Sequence, residues 1–107
     1  MPAKMDDLAR IKRLVLHGQV KFTAKAADEV LADGLTEDLV LEAIMNAPAI
    51  NKKLRSKNPS TGSRERLYVI IGVTFDGIPI YTKGKITRLQ DREVFYVLIS
   101  SKRSKSF

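Results

Sequence analysis

The stretch RLYVIIGVTFDGIPIYTKGKI, residues 66–86, decides the fold class. It contains two runs rich in Val, Ile and Tyr, and Asp76-Gly77 stands between them. Such residues favour β-strands, and Asp-Gly between two of these runs is typical of a β-hairpin turn. We therefore predict a hairpin whose strands span Arg66–Phe75 and Ile78–Thr87, with Phe75 paired to Ile78 across a two-residue turn.

Two further strands and three helices complete the expected fold. The strands are predicted over Ala49–Ser56, which is polar and suits a sheet edge, and over Glu93–Lys102. Helices are indicated upstream because Leu, Ile and Val recur at helical spacing after residues that cap helix N-termini. The expected caps are Asp6 or Asp7, Thr23 and Thr36. The expected ends are Gly18, Asp33-Gly34 and Pro48.

This order of elements predicts an α+β fold in a single domain covering all 107 residues. Helices at about 6–47 are expected to pack on one face of an antiparallel sheet of about three or four strands at about 49–103. Residues at about 104–107 are expected to form a frayed basic tail. A chain of this length buries enough surface for one modest core.

Charge is distributed unevenly along the chain. Residues 50–107 carry thirteen Lys or Arg and four acidic residues, a net charge of +9, whereas residues 1–49 carry six basic and eight acidic residues, a net charge of −2. The basic half therefore has few ion-pair partners of its own. Its counter-charge is expected on another molecule, either a nucleic acid or an acidic protein.

Composition excludes several kinds of site. The chain has no cysteine and one histidine, which excludes disulfides, thiol nucleophiles and thiolate or multi-histidine metal sites within one chain. We expect no cofactor and no metal. The sequence shows neither a signal-peptide pattern nor an apolar run long enough to span a bilayer, so we expect a cytoplasmic protein with no membrane partner.

Strand alternation assigns side chains to the two faces of the predicted sheet. The two-residue turn sets Tyr68 opposite Lys85, and the next hairpin sets Lys85 opposite Tyr96. The face expected beneath the helices holds Leu67, Val69, Ile71, Val73 and Phe75 of the first long strand. The opposite, open face is expected to hold all three tyrosines and four cations: Tyr68, Tyr81, Tyr96, Arg66, Lys83, Lys85 and Lys102.

Tyrosine and basic side chains on one sheet face suit RNA. The rings stack on unpaired bases, and Lys or Arg holds the phosphates between them. The same residue types can cleave RNA without a metal, because the ribose 2′-OH must lose a proton, the phosphorane must be neutralised and the 5′-oxygen must be protonated. The alternative is an ordinary solvated face of an antiparallel sheet.

Two stretches resemble a known family. The segment FTAKAADEVLADGLTEDLVLEAIMNAP, residues 22–48, is similar to the opening of the BrnT-like branch of the RelE-like toxin superfamily. Residues 66–86 and the stretch FYVLISSKRS, residues 95–104, resemble the sheet of these proteins and of MqsR-like toxins. The resemblance covers Val20 to Ser104. The family histidine of a T-x-H-A pattern is replaced by Lys25 in Thr23-Ala24-Lys25-Ala26.

The resemblance implies a RelE/barnase-like toxin fold and a metal-independent endoribonuclease. Such an mRNA interferase belongs to a bacterial type II toxin–antitoxin module, cleaves mRNA free or on the ribosome by 2′-OH attack, and is neutralised by an acidic antitoxin. The candidate catalytic residues are Arg66, Tyr68, Lys83, Lys85 and Tyr96. The candidate RNA-binding residues are Lys25, Arg64, Tyr81, Lys102 and Arg103.

Two other functions stay open at this point. Because Lys25 replaces the histidine, the chain is also compatible with a catalytically degenerate module that binds RNA or DNA. A partner-binding module is the third hypothesis, since a basic sheet with an open edge can dock an acidic segment of another protein.

Overall fold

The computed structural model of the chain describes residues 6–57, 59–60, 62, 64–89 and 93–105. The described residues form three helices and five strands, so the predicted α+β class is confirmed. In chain order the elements are α1 (Asp7–Leu16), β1 (Val20–Phe22), α2 (Ala24–Ala32), α3 (Glu37–Asn46), β2 (Lys52–Lys57), β3 (Arg64–Val73), β4 (Pro79–Leu89) and β5 (Glu93–Arg103).

Each helix begins at a predicted cap. The Asp6 carboxylate accepts a hydrogen bond from the backbone N–H of Ala9 at 2.8 Å, so Asp6 and not Asp7 caps α1. The hydroxyls of Thr23 and Thr36 cap α2 and α3 in the same way. These side chains satisfy N–H groups that lack a partner within the first helical turn.

The sheet differs from the predicted one in size and direction. Its order is β1-β5-β4-β3-β2, and β1 runs parallel to β5 whereas the other neighbouring strands are antiparallel. The expectation of an entirely antiparallel sheet of three or four strands was therefore wrong. Strand β1 has three residues, VKF, too few for an alternating pattern to stand out in the sequence.

The register of both long hairpins also differs from the prediction. In the first hairpin Val73 pairs with Pro79 and Tyr68 pairs with Gly84, where the prediction paired Phe75 with Ile78. The turn is longer because Thr74 closes it through backbone and side-chain hydrogen bonds with Ile78, each 3.0 Å long. In the second hairpin Lys85 pairs with Val97 and not with Tyr96. A shift of one residue exchanges the faces of a strand.

The helices cover the face that carries even-numbered residues of β3 and β4. One hydrophobic cluster joins residues of all three helices to these strands and to β5. Its sheet members include Tyr68, Ile70, Ile80, Tyr96 and Leu98, and its helical members include Ile11, Ala26, Val30, Val40 and Ile44. Gly72 belongs to the covered face because a Cβ there would collide with the Ala43 carbonyl of α3. The predicted covered set Leu67, Val69, Ile71 and Val73 therefore lies on the other face.

Helix α2 covers the edge of β5 beyond the short strand β1. The Glu29 carboxylate accepts hydrogen bonds from the Ser100 hydroxyl at 2.8 Å and from the backbone N–H of Ser101 at 3.3 Å. The Asp33 carboxylate accepts the backbone N–H of Arg103 at 2.8 Å. These contacts satisfy donors that an unprotected edge strand would offer to another chain.

None of the helices within the described ranges is long and apolar enough to cross a membrane.

The predicted basic tail is described in part. Ser104 donates its backbone N–H to the Pro79 carbonyl at 2.9 Å, and residues 106 and 107 lie outside the described residues. Residues 57–64, whose Asn, Pro, Ser and Gly predict a basic loop, and residues 89–92, which are predicted to connect the last two strands, also lie partly outside the described residues.

Candidate nucleic-acid interface

The three tyrosines do not share a face. Tyr68 is 4% exposed and Tyr96 is fully buried, and both lie beneath the helices. Tyr81 alone lies on the face without helices, which we call the open face. The predicted row of Tyr68, Lys85 and Tyr96 on one face is therefore wrong. In the observed registers, the residues of β3 and β5 that share a face with Lys85 are the odd-numbered ones, such as Leu67 and Val97.

Tyr68 has a structural partner in α1. Its hydroxyl helps to lower the pKa of the Asp7 carboxyl, and the Asp7 carboxylate pairs with Lys53 at 3.3 Å and Arg66 at 3.8 Å. Partial burial raises the pKa of Asp7, but hydrogen bonds from Lys53 and Tyr68 and the charges of Lys53 and Arg66 outweigh it and lower the pKa overall. This cluster ties the start of α1 to the ribbon of β2 and β3.

Tyr96 is enclosed more completely. Burial, with a smaller contribution from Tyr68, raises the pKa of the Tyr96 phenol above its ordinary value. Its hydroxyl has no hydrogen-bond partner among the described residues. A buried side chain does not contact a polymeric substrate, so the geometry places neither Tyr68 nor Tyr96 at a reaction surface.

The open face gathers one tyrosine and several lysines. On β4, Tyr81, Lys83 and Lys85 alternate with residues of the covered face, and all three are half-buried. Tyr81 pairs across the strands with Lys102 of β5, whose Nζ lies 5.6 Å from the centre of the Tyr81 ring. This distance is typical of a cation–π contact, which holds the ammonium beside the aromatic ring.

A second lysine–aromatic contact lies at the far side of the open face. Lys21 of β1 pairs with Val97, and its Nζ lies 5.2 Å from the centre of the Phe95 ring. The open face also carries an apolar floor. Its members from β3 and β5 are Leu67, Val69, Ile71, Val73 and Val97.

Lys85 is held by an acid that the sequence interpretation missed. Its ammonium forms an ion pair with the Glu65 carboxylate of β3, and both side chains are 24% exposed. A carboxylate and an ammonium in contact can accept and donate a proton. Strand alternation is the sequence signal that could have placed Glu65 on the open face. Glu65 stands between Arg64 and Arg66, so its side chain lies on the opposite face of β3 from theirs.

The other predicted site residues are not on the open face. Lys25 lies exposed on α2. Arg103 lies on the helix side, where its Nε donates to the Asp33 carbonyl at 3.2 Å. Arg64 and Arg66 also lie on the helix side, on the face of β3 that carries Tyr68. The structure thus brings together Tyr81, Lys83, Lys85 and Lys102, and separates the remaining candidates from them.

Within the described ranges no group of three or more His, Asp or Glu side chains lies close enough together to hold an ion.

Comparison with protein-family models, with curated proteins and with solved structures found no match to this chain. The fold and the interface define a small α+β protein with a basic open sheet face.

Proposed function

We propose that the protein binds single-stranded RNA across its open face. The observation that carries the proposal is the cross-strand pair of Tyr81 and Lys102, with Lys83 two residues along the same face. The tyrosine ring offers one base a stacking surface, and the two ammonium groups are placed to neutralise phosphates on either side. The apolar floor beside them suits contact with further bases.

The charge distribution supports an anionic partner. The +9 of residues 50–107 includes the lysines of β4 and β5. Among these, Lys85 has an acidic partner in Glu65, whereas Lys83 and Lys102 form no ion pair with any described acid. We therefore assign phosphate binding mainly to Lys83 and Lys102.

Binding is tested by titrating a labelled, uridine-rich RNA over a series of salt concentrations. Lys83→Ala should lower the slope of log affinity against log salt by about 0.7, the contribution of one phosphate contact in a single strand. Tyr81→Ala should weaken binding by about 1–3 kcal/mol through lost stacking. The matched control is Arg10→Ala, which removes one exposed cation from α1. Equal affinities of all four proteins would refute the assignment.

The second candidate function is the endoribonuclease toxin implied by the resemblance. The observation that favours it is the ion pair of Glu65 and Lys85, which lies on the same face as Lys83. In the proposed reaction Glu65 accepts the proton of the ribose 2′-OH, whose oxygen attacks phosphorus. The bond to the 5′-oxygen breaks, Lys85 donates a proton to that oxygen, and Lys83 neutralises the phosphorane.

With this second function we also propose the other properties that the resemblance implies. These are a RelE-like toxin fold, a bacterial cytoplasmic location and an acidic antitoxin that covers the open face. It is tested by incubating RNA, and mRNA on ribosomes, with the protein in EDTA and mapping the product ends. Cyclic 2′,3′-phosphate ends that disappear with Glu65→Gln and persist with Arg10→Ala are expected. Binding without any cleavage would leave the RNA-binding module as the function.

A further inference from the structure

The ribbon of β2 and β3 carries like charges in direct opposition. Arg55 pairs across the strands with Arg66, and Lys57 pairs with Arg64. Like charges at directly opposed positions destabilise a sheet. A sequence free to vary here would gain stability by placing an acid on one strand, so the arrangement calls for a ligand that supplies negative charge.

The described acidic residues supply only part of that charge. Asp7 pairs with Lys53 and Arg66 at one end of this face. Neither Arg55 nor Arg64 forms an ion pair with an acid in the part of the chain that the structure describes. Among the described residues, the guanidinium groups of Arg55 and Arg64 therefore have no acidic partner, and we assign them to an external anion.

A cavity lies between these side chains. It has a volume of about 200 Å³ and is lined by Arg55, Arg64, Glu65 and Arg66. The Glu65 carboxylate is bound by Lys85 of β4. Planar guanidinium groups match the oxygens of a phosphate in pairs, which makes a cavity lined by three arginines a suitable phosphate site.

This arginine cavity lies apart from the proposed RNA surface. Arg66 shares a face with Tyr68 beneath α1, whereas Tyr81 and Lys83 lie on the opposite face of the sheet. An anion bound between Arg55 and Arg66 therefore does not occupy the position of a base stacked on Tyr81.

We propose that the arginine cavity is a second ligand site and that it binds phosphate groups. The phosphates belong either to a small polyphosphate or to the backbone of a nucleic acid. The site does not depend on RNA binding by Tyr81, Lys83 and Lys102, because none of these three residues lines the cavity; Glu65 lines the cavity and also lies on the open face with Lys85.

The experiment follows thermal unfolding while inorganic tripolyphosphate is added, with sodium chloride at matched ionic strength as the control. Binding to the folded state alone raises the melting temperature as the ligand concentration increases. Arg55→Glu replaces a like-charged pair with an opposite pair, so without ligand it should melt at or above the wild-type temperature. Its response to tripolyphosphate should be lost, with affinity weakened about tenfold or more.

Arg55→Gln provides a second variant with a neutral side chain, and it should lose affinity without gaining the new ion pair. Arg10→Ala, which removes one exposed cation from α1, should respond to tripolyphosphate as the wild type does. If Arg55→Gln also weakens RNA binding, the phosphates are those of a nucleic acid; if it weakens tripolyphosphate binding alone, they are those of a small polyphosphate. A wild type that responds no more to tripolyphosphate than to matched salt would overturn the proposal, as would an unchanged response in Arg55→Gln.

Discussion

Gly84 of β4 lies against the ring of Tyr96 on the covered face of the sheet. A Cβ built on Gly84 would be 2.6 Å from the Cζ atom of Tyr96 and 2.8 Å from its hydroxyl oxygen. The absence of a side chain at Gly84 therefore makes room for the largest fully buried side chain of the described core. Strand β4 keeps this glycine between two lysines because the glycine faces inward and the lysines face outward.

The first prediction concerns this close approach. Gly84→Ala should destabilise the protein by about 1–3 kcal/mol, the usual cost of overpacking a core. Denaturant unfolding measures the change. In a Tyr96→Leu background, which lacks the distal ring atoms, the same substitution should cost clearly less. Costs that simply add in the double variant would show that the two residues do not interact.

The second prediction separates the two buried tyrosines. Tyr96→Phe removes a hydroxyl that has no partner among the described residues, so stability should stay the same or rise. Tyr68→Phe removes a hydroxyl that favours the charged Asp7 carboxylate and should cost about 0.5–1.5 kcal/mol. Neither variant should weaken RNA binding. Loss of RNA binding by a normally folded Tyr96→Phe protein would contradict the placement of this ring beneath the helices.

The third prediction is that the stability of the folded protein depends on pH through Asp7. The pKa of Asp7 is lowered from its ordinary value of 3.8 by the balance of burial against its contacts with Lys53, Tyr68 and Arg66. A lowered pKa in the folded state stabilises the protein above the unfolded value, and this contribution disappears as the pH falls through the folded value. Because the ion pairs are exposed to solvent, the contribution should be at most about 1 kcal/mol.

Asp7→Asn tests this directly. The stability difference between wild type and Asp7→Asn should be constant above pH 5 or so and shrink below the ordinary value of 3.8. Unfolding midpoints measured in urea across this pH range provide the comparison. A difference that grew as the pH fell would reverse the assigned sign.

The fourth prediction concerns the edge of β5. Combined Glu29→Ala and Asp33→Ala substitutions leave the backbone N–H groups of Ser101 and Arg103 without their acceptors. Stability should fall by about 1–3 kcal/mol, and amide hydrogen exchange at Ser101 and Arg103 should accelerate. The control is Asp28→Ala, an exposed residue on the same helix. Exchange as slow as in the control would show that other groups protect the edge.

Helix boundaries could be predicted from the sequence because their signals are local. A cap and the N–H group it satisfies lie within a few residues, as Thr23 and Ala26 do. The faces of β3 were not predictable in the same way, since apolar residues occupy both parities: Val69 and Ile71 on one face, Tyr68 and Ile70 on the other. The alternation of apolar residues therefore does not indicate which face of β3 the helices cover. The register set by the turn determines that face.

The candidate site was only partly predictable for the same reason. Tyr81, Lys83 and Lys85 were placed on the open face because β4 alternates clearly between inward and outward residues. Tyr68 was misplaced because the Asp76-Gly77 signal also fits the longer turn that Thr74 closes. Tyr96 was misplaced because Lys85 of β4 pairs with Val97 of β5 and not with Tyr96. The ion pair of Glu65 with Lys85 depends on a diagonal contact between strands, which requires the register to be known.

The most direct test of the proposed RNA surface is an NMR titration with single-stranded RNA, read from side-chain signals. The ring signals of Tyr81 and the terminal methylene signals of Lys83 and Lys102 should shift as RNA is added, while the rings of Tyr68 and Tyr96 should not. Shifts that leave Tyr81, Lys83 and Lys102 unchanged while other residues respond, or no shifts at all, would contradict RNA binding by the open face.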